Sequence, residues 1–171
     1  VVSSDGNKTT VQMGSGYRGD LWLARSGKGK IVNVTPADYR YFAIKVGFKS
    51  QLVPGKNKPN GCIKLEIFDD GIKKIGPEYF GTGGDANNRY EILGASEIST
   101  TEPNVLYYDL QSKYKTVTPT DWNQVFDLSQ CKFVIADFPE TAQTYDLYWI
   151  RSFKSIEELQ AFVDSENNTN E

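Results

Sequence analysis

The chain has 171 residues, a formal net charge of −3, and 10 Tyr, 9 Phe, 3 Trp and 15 Gly, but no His. That length suits one domain with a sizeable core, and that charge lacks the basic footprint needed for nucleic acid or an anionic membrane. Without histidine, Ser-His-Asp and Cys-His nucleophile systems and the usual His-containing zinc or iron sites are excluded, so any catalysis would rest on carboxylates, Lys, Tyr or a cofactor.

Residues 1–8 are polar and read as a loose segment, with one β domain over 9–164 and a polar, disordered tail over 165–171. Thr9 to Met13 reads as the first strand. Gly14-Ser-Gly-Tyr-Arg-Gly19 then matches the spacing of a dinucleotide fingerprint. That motif works only where a helix starts at its third glycine. Gly27-Lys-Gly29 follows too soon for a crossover helix, so a glycine-rich connection between strands is expected instead. Arg18-Gly-Asp20 spells an integrin-type tripeptide, which recurs by chance and is assigned no function.

Tyr39 to Phe48 alternates, with Phe42, Ile44, Val46 and Phe48 on one face and Tyr41, Ala43 and Lys45 on the other. Gln51 to Gly61 reads as a long turn. Cys62 to Asp69 alternates too, with Ile63, Leu65 and Ile67 on one face. One apolar and one polar face per strand is the pattern of an antiparallel β-sandwich rather than a parallel α/β sheet. Asp69-Asp-Gly71 closes that strand as a turn. Tyr79 to Tyr90 is the least regular stretch, and it mixes aromatics with amides, an acid and a base. Long irregular loops on a rigid sheet are where binding residues concentrate.

Asn104 to Gln111 places Leu106, Tyr108 and Leu110 opposite Val105, Tyr107 and Asp109. Ser112 to Trp122 is a loop carrying Tyr114 and Trp122. Cys131 to Phe138 is apolar on both faces and reads as a central strand. Cys62 and Cys131 are either free thiols or one disulfide; spacing does not decide. Thr144 to Phe153 alternates, with Tyr145, Leu147, Trp149 and Phe153 on one side and Asp146, Tyr148, Ile150 and Ser152 on the other. Ser155 and Glu158 then form a capping box ahead of the helical stripe Ile156, Leu159, Phe162 and Val163. The expectation is an all-β domain, an antiparallel β-sandwich with one short C-terminal helix.

Four blocks carry a family resemblance: Tyr41-Phe-Ala-Ile-Lys-Val46, Leu106-Tyr-Tyr-Asp-Leu110, Phe133-Val-Ile-Ala-Asp137 and Tyr148-Trp-Ile-Arg-Ser-Phe-Lys-Ser-Ile-Glu-Glu-Leu159. Over residues 38–163 the chain resembles DUF4979, a bacterial domain of secreted or surface proteins in glycan-using gut bacteria. The resemblance implies a galactose-binding-like jelly roll of the kind shared by many carbohydrate-binding modules. It also implies an extracellular, cell-surface or periplasmic location. The family pattern places an aspartate before the Trp-Ile pair; here Tyr148 stands there, and the acid is Asp146.

The function expected is therefore non-catalytic carbohydrate binding, with a poly- or oligosaccharide as partner. Sugars present apolar C–H faces and a rim of hydroxyls, which aromatic platforms and planar polar groups recognise. The loop candidates are Trp122, Tyr79, Tyr114, Asp85, Asn87, Asn88 and Arg89, each of which also suits packing or turn formation. No cofactor is expected beyond a structural calcium, for which Asp5, Asp20 and Asp146 are candidate ligands. Two other readings stay open. One is a structural module binding neighbouring domains or surface proteins. The other is a glycoside hydrolase using two carboxylates among Asp137, Asp109 and Glu66.

Overall fold

The structure, a computed structural model, describes residues 2–4, 6–13, 18–24, 33–34, 38–49, 62–69, 91–95, 98–109, 126–136 and 144–169. These form ten strands, β1 (Val2–Ser4), β2 (Thr9–Gln12), β3 (Arg18–Ala24), β4 (Asn33–Val34), β5 (Tyr41–Phe48), β6 (Cys62–Asp69), β7 (Glu91–Ile92), β8 (Asn104–Asp109), β9 (Phe126–Ala136) and β10 (Thr144–Phe153), and one helix, α1 (Ile156–Thr169). Every strand pairing is antiparallel. The described residues are mostly β with one C-terminal helix, as the alternating patterns predict.

Six strands form one sheet in the order β1-β2-β10-β5-β8-β7. In the other sheet β9 pairs with β3, β4 and β6, so it is the central strand expected from its apolar pattern. The third glycine of the fingerprint, Gly19, lies inside β3 opposite Ile135. A strand therefore occupies the place where a dinucleotide site needs a helix N-terminus.

The sheets share one core. Phe42, Ile44, Val46 and Phe48 of β5 and Leu106 and Tyr108 of β8 pack with Ile63, Phe133 and Ile135 of the second sheet. Phe133 meets Tyr145 edge-on, with ring centroids 5.8 Å apart. Full burial of a side chain such as Ile44 or Phe133 stabilises the fold by about 1.5–3 kcal/mol. Period-two alternation is what delivers all four β5 side chains to the same face.

The opposite face of the six-stranded sheet carries α1. Leu159, Phe162 and Val163 sit on Ala43, Val105, Trp149 and Phe153. The helix begins as its sequence predicts. The Glu158 N–H donates to Ser155 Oγ at 3.2 Å, while Glu158 Oε2 accepts from the Lys154 N–H at 2.7 Å. Glu158 thus reaches one residue further back than the usual reciprocal box.

Two expectations change, and one open alternative closes. Strand β10 does not alternate throughout. Tyr145 and Leu147 face the inter-sheet core, but a register shift falls between Leu147 and Trp149, which pair with the adjacent residues Val46 and Lys45. Tyr148 is the extra residue of a β-bulge. Beyond it the faces exchange: Ile150 joins the inter-sheet core, whereas Trp149 and Phe153 turn to the helix. Second, β1 lies within the segment expected to be loose, and α1 continues to Thr169 rather than stopping at Asp164. Glu166, in that last stretch, accepts from Lys45 and Trp149, which ties it to the sheet. Third, Cys131 stands opposite Ile67 and Cys62 opposite Ala136. Five positions along a strand is roughly 16 Å, far beyond disulfide reach, so the two cysteines are not bridged.

Candidate functional site

The bulge builds the candidate site. Adjacent residues of a regular strand point to opposite faces, but the extra residue lets Tyr148 and Trp149 share the helix-side face. Trp149 packs edge-on against Phe162 of α1, at 5.4 Å between centroids. Tyr148 lies instead across Gly47, where an added Cβ would stand 3.5 Å from its Cε2. A bulky residue at position 47 would displace the Tyr148 ring.

Beside Tyr148 an open groove of about 880 Å³ runs between α1 and the loop before β8. Its floor holds Lys45 of β5, Val105 of β8 and Tyr148 of β10. One bank is α1, with Gln160, Asp164, Glu166 and Asn167. The other bank is Leu93 to Ala95 and Glu102 to Asn104, and Asn7 also lines the groove.

Each bank is held by specific bonds. On the helix side, Glu166 Oε2 accepts from Lys45 Nζ at 3.1 Å and from Trp149 Nε1 at 3.0 Å. The Lys45 ammonium also stands 5.8 Å from the Tyr148 ring centroid. On the loop side, the buried Asn104 is the organiser. Its Oδ1 accepts from the Ser99 N–H at 2.7 Å, and its Nδ2 donates to the Ser99 carbonyl at 2.8 Å. Ser99 Oγ in turn accepts from the N–H groups of Thr101 and Glu102. Gly94, at φ +72°, turns the chain between β7 and this wall in a conformation that favours glycine.

Asp146 occupies the same sheet face further along β10. It is 2 % exposed. Its Oδ1 accepts from Thr10 Oγ1 at 2.7 Å, and its Oδ2 accepts from Lys8 Nζ at 2.8 Å and Lys49 Nζ at 2.5 Å. Burial alone would raise the carboxyl pKa, but these three donors outweigh it and hold the group well below the usual carboxylate range. Two ammonium groups already more than offset its single charge, so this carboxylate does not fit a calcium ligand without expelling the lysines. Among the described residues no cluster of three acidic, Cys or His side chains forms a metal site. The side chains of Asp5 and Asp20 lie outside the described residues.

The loop candidates Trp122, Tyr79, Tyr114, Asp85, Asn87, Asn88 and Arg89 also lie outside the described residues, as does Asp137. Of the other hydrolase candidates, Asp109 is engaged by Arg40 through two bonds of 2.8 and 2.7 Å, and the side chain of Glu66 is not described. That contact, together with the nearby charge, raises the Arg40 pKa further and keeps Asp109 in a bidentate pair. The groove residues Lys45, Asn104 and Glu166 were not legible as site residues. Only Tyr148 carried a signal, as the departure from the family pattern before Trp149.

No helix among the described residues is long and apolar enough to cross a membrane. No curated protein and no solved structure matches the chain significantly. A family model described as "Domain of unknown function (DUF4979)" matches residues 1–159, including the first 37, where no resemblance was legible. The chain belongs to the DUF4979 family.

Proposed function

We propose that the protein is a non-catalytic carbohydrate-binding module, and that the groove beside Tyr148 is its binding site. The observation that supports this is the mixed lining. One half-buried tyrosine shares the groove with the amides of Asn7, Gln160 and Asn167 and with the Lys45–Glu166 pair. A sugar ring offers C–H groups to an aromatic ring and hydroxyls that both donate and accept. Amides, a carboxylate and an ammonium answer those hydroxyls. The banks are pre-bonded, through Asn104 on one side and Glu166 on the other, which lowers the ordering cost of binding. In this reading the module serves a secreted or surface protein of glycan use.

Trp149 reports on the site, because its indole N–H is bonded to Glu166 of the groove. Intrinsic fluorescence titrated against a panel of oligosaccharides tests the proposal. The expected result is a saturable shift with one glycan class, lost in Tyr148→Ala and retained in Trp122→Ala. Loss in Trp122→Ala alone moves the site to the loops. No response across the panel overturns the carbohydrate reading.

A further inference from the structure

Among the described residues, four charged side chains line the groove: Lys45, Glu102, Asp164 and Glu166. Lys45 and Glu166 neutralise each other at 3.1 Å. Glu102 and Asp164 remain, one on each bank, both exposed. Asp164 accepts from the neutral amide of Gln160, which leaves its charge uncompensated by that contact. The groove also follows the C-terminal half of α1, whose last turn has no basic residue. The partial negative charge of that helix end therefore adds to the two acids.

Building on the glycan reading above, we propose that this groove selects uncharged sugar chains and rejects their acidic counterparts, the uronates and sulfated glycans. The hydroxyls of a neutral sugar donate to Glu102 and Asp164 in charge-assisted bonds. A sugar carboxylate in the same place cannot donate and meets two like charges. With water-like screening, one like charge in contact and a second further off lower affinity by roughly tenfold at low salt, and the penalty fades as the Debye length shortens.

The test uses the whole chain and matched probes: oligomers of glucose, mannose and galactose beside the corresponding oligo-uronates, titrated at about 20 mM and about 300 mM salt. The expected result has two parts. The neutral member of the responding pair binds about tenfold tighter at low salt, and the gap narrows at high salt. The double variant Glu102→Gln with Asp164→Asn narrows the gap in the same way. Both positions are exposed, so that variant keeps the fold. A uronate that binds as tightly as its neutral partner overturns the inference and leaves the glycan reading standing. A gap that survives both high salt and the double variant also overturns it, because the discrimination is then steric. Binding of neither class overturns the inference together with the reading beneath it.

Discussion

Replacing Asp146 by Asn removes one buried negative charge from between two lysines while leaving an oxygen for Thr10. Taking one partner from a buried ion pair typically destabilises by about 3–5 kcal/mol, because a stranded charge remains. Here the stranded charges have an outlet: the Lys8 and Lys49 side chains are 31 % and 53 % exposed and can swing into water. The loss for Asp146→Asn is therefore about 2 kcal/mol, below that range. With a urea slope near 2 kcal/mol per molar, the unfolding midpoint falls by about 1 M. The pH dependence supplies a second readout. The folded carboxyl titrates below its unfolded value near 4, so between those values the unfolded state binds more protons and stability is lost as pH falls. The wild-type advantage over Asp146→Asn should hold from pH 7 to about 4 and shrink below that. Urea melts of both proteins across this range check it. A midpoint shift under about 0.2 M at pH 7, or a gap that does not narrow in acid, would refute the account of Asp146 as a charge held by its lysines.

Three further outcomes follow from the same packing. Leu159→Ala, at a position with no exposure, should cost about 2–5 kcal/mol and reduce helical circular dichroism as α1 loosens from the sheet. Asn104→Ala leaves the Ser99 N–H and carbonyl without their partner and should cost about 1–3 kcal/mol by chemical denaturation, with faster hydrogen exchange in 98–103. Ser155→Ala removes the acceptor for the Glu158 N–H and should lower stability by about 1 kcal/mol, read as a lower thermal midpoint.

Strands β5 and β8 were readable residue by residue, because each keeps period two from end to end. The start of α1 was readable because Ser155 and Glu158 act within four residues of each other. β10 was misread because an alternation template has no place for an extra residue. Tyr145 and Trp149 look equivalent by parity, yet they bury against different partners. Arg151, which alternation places on the face of Tyr145, Leu147, Trp149 and Phe153, was the one local sign of the exchange. The groove was not legible, since Lys45 meets Glu166 across 121 positions and nothing near either residue announces the other. Asp146 looked like a candidate metal ligand for the same reason: its two lysines arrive from distant parts of the chain.

The place of β10 between β2 and β5 sets the order in which this chain can fold. Lys8 and Asp146, joined by an ion pair, stand 138 positions apart. Until β10 has been synthesised, the β1–β2 hairpin has no sheet to join and β5 shows one open edge. Pairings this distant make folding slow, and an open strand edge is a template for pairing with another chain. Any change that delays β10, including one that alters its bulge, therefore lengthens exposure of that edge. Soluble yield on expression would then register such a variant before any loss of equilibrium stability does.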